Sequence, residues 1–253
     1  MRVFRGFDNL PKFRGAVATL GSFDGLHRGH LTLLDSMKRI ARASGGESVV
    51  LTFEPHPRVV LGRADGLRLL TSTEEKIMLL ERYNIDNLII IPFDRVLSRV
   101  THRDFVREYM VERVGISTLV AGYNHHFGRG SEGAYDDFLK MGNEFGFDIC
   151  RVEEWRDSNN ANVSSTVVRH LISIGDIAQA NELLSRNYLI MGHTDSDGRV
   201  WVSDSLKLLP PSGEYQALIN GQESQFRVDA NGVVWCDEMN SDVVIEVQAR
   251  INS

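Results

Sequence analysis

The sequence has few of the residues that mark an extracellular or a membrane-spanning chain. Its 253 residues include two cysteines, Cys150 and Cys236, which are far apart and form no recognised motif. This excludes a disulfide framework as the basis of the fold and favours a reducing cytoplasm. No apolar run approaches the length of a membrane span, and residues 1–5 have no signal-peptide core. We therefore expect a cytoplasmic protein with no membrane partner.

An excess of positive charge is also missing. The chain has 28 Lys and Arg against 34 Asp and Glu, which gives a formal net charge of −6. Residues 1–186 have 24 of each sign, so residues 187–253, with 4 basic and 10 acidic residues, carry the whole excess. A nucleic-acid partner would require a basic face, so this acidic segment argues against one. The length and the change in character predict two domains, 1–186 and 187–253.

The rest of the chain is organised around the stretch Thr-Leu-Gly-Ser-Phe-Asp-Gly-Leu-His-Arg-Gly-His at residues 19–30. The apolar run 16–20 predicts a buried strand, and Gly21 with the Asp24-Gly25 pair predicts a turn. Apolar residues at helical spacing after Arg28 predict a helix. A helix start has unpaired N–H groups and a partial positive charge, and these features suit phosphate groups.

Two histidines lie at the start of this predicted helix. His27 and His30 are three residues apart, so they share one face of the turn, and Gly29 between them lets a phosphate approach the backbone. Two imidazoles and a helix start can bind a phosphate and stabilise charge on a leaving group, which predicts a nucleotide-handling site. Two other interpretations stay open: capping or surface histidines, and a pair of zinc ligands, although no Cys cluster or Glu partner stands at a recognised spacing.

The form Gly-x-Phe-Asp-Gly-x-His-x-Gly-His resembles the His-x-Gly-His nucleotidyltransferases. It is most similar to the bacterial bifunctional flavin enzymes, in which riboflavin kinase is joined to FMN adenylyltransferase. Taken by itself, this block also allows relatives that use phosphopantetheine, nicotinate mononucleotide or glycerol phosphate. The later blocks of the sequence separate these possibilities.

Two of these blocks are similar to the flavin enzymes. Thr-Phe-Glu-Pro-His-Pro at 52–57 follows the predicted second strand, and its prolines fix the backbone on both sides of the histidine. Gly-Tyr-Asn-His-His-Phe-Gly at 122–128 follows the predicted fourth strand. From the residues themselves, a rigid turn and a glycine-rich loop without function stay open. The resemblance implies flavin-binding roles for Phe53, Pro55, His56, Pro57, Asn124, Phe127 and Gly128.

The last block is Ser-Ser-Thr-Val-Val-Arg at 164–169. Ser164 is a natural N-cap, Ser165 and Thr166 place hydroxyls in the first helical turn, and Arg169 lies about one turn further on. Hydroxyls, unpaired N–H groups and an arginine together predict a second phosphate site, while an ordinary capped helix with a surface arginine is the alternative. The block also stands in the order of the flavin family, and the resemblance is continuous over residues 13–188.

Residues 187–253 change to short β runs separated by Gly, Asp and Pro turns, which predict a small barrel or curled sheet. The second domain of the family, riboflavin kinase, is a six-stranded barrel whose Pro-Thr-Ala-Asn motif holds Mg-ATP. Here Gly198-Arg199 is followed by Val-Trp-Val-Ser-Asp-Ser, and Pro-Thr-Ala-Asn does not occur in the sequence. The resemblance therefore implies a shortened barrel without kinase activity, since transfer of a γ-phosphate would lack its metal ligands.

We therefore predict an α/β fold with a Rossmann-like nucleotidyltransferase domain, in which helices cover both faces of a five-stranded parallel sheet, and a small all-β barrel-like domain after it. The resemblance implies transfer of AMP from ATP to FMN, with Mg²⁺ bound by ATP and FAD and pyrophosphate as products. The catalytic residues are then His27, His30 and Arg169, and no resident metal site is expected. The residues implied in ATP binding are Gly21, Ser22, Phe23, Asp24, Gly29, Ser164, Ser165 and Thr166.

Three alternatives to this function stay open. The first is an enzyme of the same fold that uses another phosphorylated acceptor. The second is the full bifunctional enzyme with an unusual kinase barrel. The third is a non-catalytic flavin-binding protein, which the divergent tail suggests.

Overall fold

The computed structural model describes residues 1–122, 135–153, 155 and 163–251. The chain divides into two compact units, and each is built from more than one segment. The first unit comprises Met1–Phe23, Gly29–Gly66 and Leu79–Trp155, and the second comprises Asp24–Arg28, Leu67–Met78 and Arg156–Ser253. None of the described helices is both long and apolar enough to cross a membrane.

A parallel sheet forms the centre of the first unit. Its strands are β1 (Arg2–Arg5), β2 (Ala16–Leu20), β3 (Ser48–Glu54), β4 (Asn87–Pro92), β5 (Ile116–Gly122) and β6 (Asp148–Val152). The order across the sheet is β1-β4-β3-β2-β5-β6, and all neighbouring pairs are parallel. Every residue of β2 is buried, as expected of a strand covered on both faces.

The predicted α/β class is confirmed, but the expected number of strands is wrong. The sheet has six strands because β1 pairs with β4 at its edge, with Arg2 opposite Asn87. Most β1 side chains are exposed, so this strand has no apolar run of the kind that marks a buried strand.

Helical segments connect the strands. They are α1 (Arg28–Ser44), α2 (Pro57–Val60), α3 (Thr73–Arg82), α4 (His102–Phe105) with a π-helical continuation (Val106–Val114), and α5 (Tyr135–Phe145). A short 3₁₀ turn, Leu97–Arg99, precedes α4. The continuation of α4 packs Val106, Met110 and Val114 into the apolar core of the sheet, where they are almost fully buried.

A closed antiparallel barrel is the main element of the second unit. Its strands are β7 (Tyr188–Thr194), β8 (Arg199–Val202), β9 (Gly213–Ile219), β10 (Gln222–Val228), β11 (Val234–Cys236) and β12 (Asp242–Arg250). They close in the order β10-β11-β8-β7-β12-β9. The predicted barrel is therefore confirmed, and β7 is a strand that the sequence patterns did not indicate.

Two helices belong to the same unit as the barrel. They are α6 (Ser165–Ile174) and α7 (Ile177–Leu184). Val168 of α6 and Leu184 of α7 share one apolar cluster with the barrel residues Ile190 and Ile245. The core of this unit therefore runs across residue 187, where the sequence predicts a domain boundary.

Candidate functional site

The loop between β2 and α1 has a strained backbone. Phe23, Gly25 and Leu26 have positive φ angles of 48°, 86° and 40°. A residue with a side chain adopts this conformation at a cost of about 1–2 kcal/mol, so it persists only when the surroundings impose it. Phe23 and Leu26 are 1% and 2% exposed, and this burial holds the loop in place. Strain that packing maintains is a feature of many binding and catalytic loops.

In the first unit, the start of this loop is tied to the neighbouring strand β3. The Gly21 N–H donates to the Leu51 carbonyl at 3.0 Å, and the Thr52 hydroxyl donates to the Ser22 carbonyl at 3.3 Å. The Phe23 ring lies 5.3 Å from the imidazole of His30, measured between centroids. Hydrogen bonds to β3 thus hold the backbone before the turn. The Phe23 ring packs against the imidazole of His30, which follows Gly29 in the first turn of α1.

In the second unit, Asp24 is a hydrogen-bond acceptor at the centre of the turn. Its Oδ1 accepts from the N–H groups of Leu70 and Thr71 at 2.8 and 3.0 Å, and from the Thr71 hydroxyl at 3.3 Å. Its Oδ2 accepts from Arg169 Nη2 at 2.7 Å. The side chain is 4% exposed, and both of its oxygens already accept hydrogen bonds. Asp24 therefore positions other groups and is poorly suited to act as a base.

Further bonds fix the turn around Asp24. The Ser165 hydroxyl donates to the Asp24 carbonyl at 2.8 Å, and Arg186 Nη2 donates to the Gly25 carbonyl at 2.7 Å. The Gly25 N–H donates to Thr71 Oγ1 at 3.1 Å. Thr71 and Arg186 were not among the residues singled out from the sequence. Thr71 lies in the Leu-Thr-x-x-x-Glu-Lys stretch at 70–76, which resembles the flavin family but which the sequence indicates only as structural. Arg186 stands in no such motif.

The start of α6 has the predicted cap. Ser164 Oγ accepts from the Val167 N–H at 3.3 Å, which confirms Ser164 as the N-cap, and Thr166 is exposed in the first turn. Arg169 Nε donates to the Arg68 carbonyl at 2.8 Å, while Nη2 binds Asp24. Among the described residues, the Nη1 end of this guanidinium meets no acceptor, and the side chain is 24% exposed. The structure thus holds Arg169 in one orientation with donors left for an anion.

His27 is buried and uncharged at neutral pH. The pKa of its imidazole is lowered from 6.5 to about 4, mainly by burial; the carboxylate of Asp24 opposes this shift, and the guanidinium of Arg169 makes a smaller contribution in the same direction as burial. A neutral imidazole can donate one N–H and accept at the other nitrogen. His27 is therefore a neutral hydrogen-bonding group, and Arg169 is the cation.

The residues implied in flavin binding divide into described and undescribed ones. Phe53, in β3, has its ring centroid 5.3 Å from that of Phe93 and 6.2 Å from that of Phe105, so it is part of an aromatic group. Asn124, Phe127 and Gly128 lie outside the described residues.

Pro55, His56 and Pro57 form the junction between β3 and α2. The Glu54–Pro55 peptide bond is cis. The structure places His56 at the N-cap of α2, where its Nδ1 accepts from the Arg58 N–H at 3.2 Å, and Pro57 is the first residue of that helix. The expected rigid loop is thus a capped helix start.

The second unit contains a buried ion pair between Glu75 and Lys207 that the sequence patterns did not predict. Ser72 and Glu75 are three residues apart, a spacing that predicts a capping box, and the structure confirms it: the Glu75 N–H donates to Ser72 Oγ at 3.1 Å, and the Ser72 N–H donates to Glu75 Oε2 at 2.9 Å. The same carboxylate also binds Lys207 Nζ at 2.6 Å. The one available signal was that Lys207 stands inside the apolar run Leu-Lys-Leu-Leu at 206–209.

Acidic and imidazole groups are dispersed in the part of the chain that the structure describes. No three His, Cys, Asp or Glu side chains there are grouped so as to hold a metal ion. Asp24, the carboxylate nearest to Arg169, already binds four donors.

Known proteins resemble this chain in sequence. The FAD synthetase family model matches residues 10–167. The bifunctional riboflavin kinase/FMN adenylyltransferase of Escherichia coli strain K12 is 32% identical over 204 residues, which cover 79% of this chain and 65% of that protein. The protein of the same name from Bacillus subtilis strain 168 is 31% identical over 226 residues, which cover 82% and 69%. The chain thus spans 65% of the length of the E. coli relative.

A solved structure agrees with the fold. The crystal structure of a macrolide-efflux protein from Streptococcus pneumoniae superposes with a TM-score of 0.84 and 20% sequence identity, and covers 100% of this chain and 92% of that one. At this identity the similarity shows the fold and nothing about activity. The family match extends over more than half of the residues and includes the Gly-x-Phe-Asp-Gly-x-His-x-Gly-His block. The chain therefore belongs to the FAD synthetase family, as the resemblance predicted.

Proposed function

We propose that this protein transfers AMP from ATP to FMN and forms FAD and pyrophosphate. The observation that carries the proposal is the guanidinium of Arg169, which Asp24 and the Arg68 carbonyl hold in one orientation. A fixed guanidinium with donors to spare is suited to a phosphate chain. The match to the FAD synthetase family and the names of the relatives, FMN adenylyltransferase, supply the choice of substrates.

In the proposed reaction, an oxygen of the FMN phosphate attacks the α-phosphorus of ATP in line. The bond from the α-phosphorus to the bridging oxygen breaks, and pyrophosphate leaves with the electron pair. Because the FMN phosphate is already a nucleophile, no protein nucleophile is required, and positioning with charge stabilisation suffices. We assign the charge stabilisation to Arg169 and to the N–H groups at the starts of α1 and α6.

His27 and His30 act as hydrogen-bond donors to the phosphates in this proposal. His27 is neutral at physiological pH, because burial lowers the pKa of its imidazole to about 4. It therefore binds phosphate as an N–H donor, and the formal positive charge comes from Arg169. The remaining ATP contacts are assigned to Gly21, Ser22, Phe23, Asp24, Gly29, Ser164, Ser165 and Thr166.

The substrate is ATP with its magnesium ion. Mg²⁺ keeps several waters and binds mainly through substrate phosphates in nucleotide sites, so a protein cage is unnecessary. The dispersed carboxylates of the described residues fit this mode. We also keep the cytoplasm as the location, since ATP and FMN are found there.

We assign the flavin to Phe53, Pro55, His56 and Pro57, together with Asn124, Phe127 and Gly128. The aromatic group of Phe53, Phe93 and Phe105 supports this, because a flat ring system packs well against aromatic side chains. Phe53 also stands at the carboxyl end of β3, and ligands of open α/β sheets bind at that end of the strands.

We further propose that the chain does not phosphorylate riboflavin. Counted from Gly198-Arg199, the positions of the family's metal-binding Thr and Asn fall on Ser205 and Lys207. The Lys207 ammonium is buried against Glu75 and cannot bind Mg²⁺, so the second of the two ligands is missing.

One incubation tests these proposals. Purified protein is mixed with labelled ATP, Mg²⁺ and either FMN or riboflavin, and the products are separated by chromatography. FAD and pyrophosphate from FMN, with no FMN from riboflavin, is the expected result. FMN from riboflavin would show kinase activity, and failure to adenylylate FMN would refute the function. If FMN is not adenylylated, the incubation is repeated with other phosphorylated acceptors. An adenylylated product would indicate a different substrate, and flavin binding without release of pyrophosphate would indicate a non-catalytic flavin-binding protein.

Substitutions test the site. The double variant His27→Ala/His30→Ala should lose FAD formation while its far-UV circular dichroism stays unchanged. His193→Ala is the matched control, because His193 is an exposed histidine on β7, and it should keep full activity. Unchanged activity in the double variant would refute the assignment of the two histidines.

A further inference from the structure

The second unit contains a buried ion pair that the proposed reaction does not use. Lys207 lies between β8 and β9, and its Nζ is 2.6 Å from Glu75 Oε2. The two side chains are 1% and 0% exposed. Burying two charges costs more than a surface pair, and it is tolerated only where the remaining donors and acceptors are satisfied.

The hydrogen bonds of Lys207 fit an ammonium group, which the charge of Glu75 favours although burial lowers its pKa. Besides Glu75, its Nζ donates to the carbonyl oxygens of Leu70 at 2.6 Å and Leu189 at 2.5 Å. An ammonium has three N–H donors, and here each faces one acceptor. Glu75 is equally engaged, since its Oε1 also accepts from the Met191 N–H at 3.0 Å. The pair therefore joins α3 and the segment before it to strand β7 of the barrel.

One peptide group links this pair to Asp24. Lys207 binds the carbonyl oxygen of Leu70, and the N–H of Thr71, which belongs to the same peptide group, donates to Asp24 Oδ1 at 3.0 Å. In a trans peptide the C=O and the N–H lie in one plane and point in opposite directions, so Lys207 and Asp24 bind opposite edges of the same peptide group. An ammonium on the carbonyl also polarises the group and strengthens its N–H as a donor.

The segment 68–71 fixes both anchors of Arg169. The Arg68 carbonyl accepts from Arg169 Nε, and Asp24, oriented by the N–H groups of Leu70 and Thr71, accepts from Nη2. The backbone of the barrel segment holds the same stretch, because the Leu69 N–H donates to the Leu206 carbonyl at 2.8 Å. Lys207 thus binds the segment that positions both acceptors of the Arg169 guanidinium.

From these contacts we infer that Lys207 is a positioning residue for Arg169. Its ammonium holds the Leu70–Thr71 peptide, this peptide orients Asp24, and Asp24 orients the guanidinium toward the phosphates of ATP. The inference rests on the proposed adenylyl transfer, and it gives the barrel a part in that reaction without kinase chemistry.

The test is a double-mutant cycle on the full chain with Lys207→Met and Arg169→Ala. A small displacement of a positioning group costs about tenfold to a hundredfold in rate, so we expect Lys207→Met to lower kcat/KM for ATP by about this factor. KM for FMN should stay unchanged. In the Arg169→Ala background, Lys207→Met should have no further effect, since it acts through the group already removed. Equal losses in both backgrounds would overturn the inference, as would full activity in folded Lys207→Met.

Two more variants distinguish a loss of the folded state from a loss of the positioning effect on Arg169. Lys207→Met leaves the Glu75 carboxylate buried and unpaired, so Glu75→Gln/Lys207→Met, which removes both charges, carries the same test if the single variant does not fold. Tyr215→Phe is the matched control, because it removes a buried barrel hydrogen bond, from Tyr215 Oη to the Pro211 carbonyl at 2.6 Å. The control should keep kcat/KM for ATP. Wild-type protein that forms no FAD would refute the proposed function itself, and is thereby distinguished from failure of this inference.

Discussion

The burial of His27 predicts a specific dependence of stability on pH. Its pKa is lowered from 6.5 to about 4, so between these values the unfolded chain takes up a proton that the folded chain does not. Protons therefore favour unfolding in this window: the stability is fully present above about pH 6.5 and is lost as the pH falls toward about 4. The loss is about 2 kcal/mol between about pH 7 and pH 5, and about 3 kcal/mol by about pH 4.

Urea unfolding at about pH 7 and pH 5 measures this effect. Wild-type protein and His27→Gln are followed by tryptophan fluorescence and circular dichroism, and the variant should lose about 2 kcal/mol less on acidification than the wild type. His193→Gln, at an exposed histidine, is the control and should follow the wild type. If His27→Gln and wild type lost the same stability, His27 would not be held neutral by burial, and its role as a neutral donor would fall with it.

Two further substitutions test the loop and the helix start by thermal unfolding. Gly25→Ala should destabilise by about 2 kcal/mol, because its Cβ would lie 2.7 Å from Leu70 Cδ1 on a backbone with a φ of 86°. Gly62→Ala, with a similar φ but no described atom within 4 Å of its Cβ, should cost about half as much, and equal losses would contradict the steric argument. Ser164→Ala should cost about 1 kcal/mol through the lost cap to Val167, whereas Ser164→Thr should retain most of the stability; a neutral Ser164→Ala would argue against the cap.

Three of the sheet strands that the sequence predicted, β2, β3 and β4, are buried almost throughout. β2 reads as an apolar run because a parallel strand covered on both faces has little place for polar residues. β1 escaped notice because its residues are mostly exposed. β7 escaped for the opposite reason, since Tyr188, Leu189 and Ile190 are all buried and the alternation of a barrel strand is missing at its start.

For the site, the sequence predicted local contacts and missed distant ones. The cap at Ser164 and the capping box of Ser72 and Glu75 join residues three apart, within reach of a spacing rule. Arg169 and Asp24 are 145 residues apart, and Lys207 and Glu75 are 132 apart. Such pairs follow from the path of the chain in three dimensions, which residue types and spacing do not encode. Lys207 was also obscured by its type, because lysines are rarely fully buried.

Closure of the barrel restricts how any other macromolecule could attach to it. Each of the strands β7–β12 is paired with a neighbour on both sides within the described chain, so the barrel has no strand that is open along one whole side. Association by strand addition, one mode of peptide capture by a sheet, is therefore restricted to short unpaired stretches such as residues 222–225 of β10. Elsewhere a partner would have to recognise outward-facing side chains, such as the exposed indole of Trp201 beneath the guanidinium of Arg199.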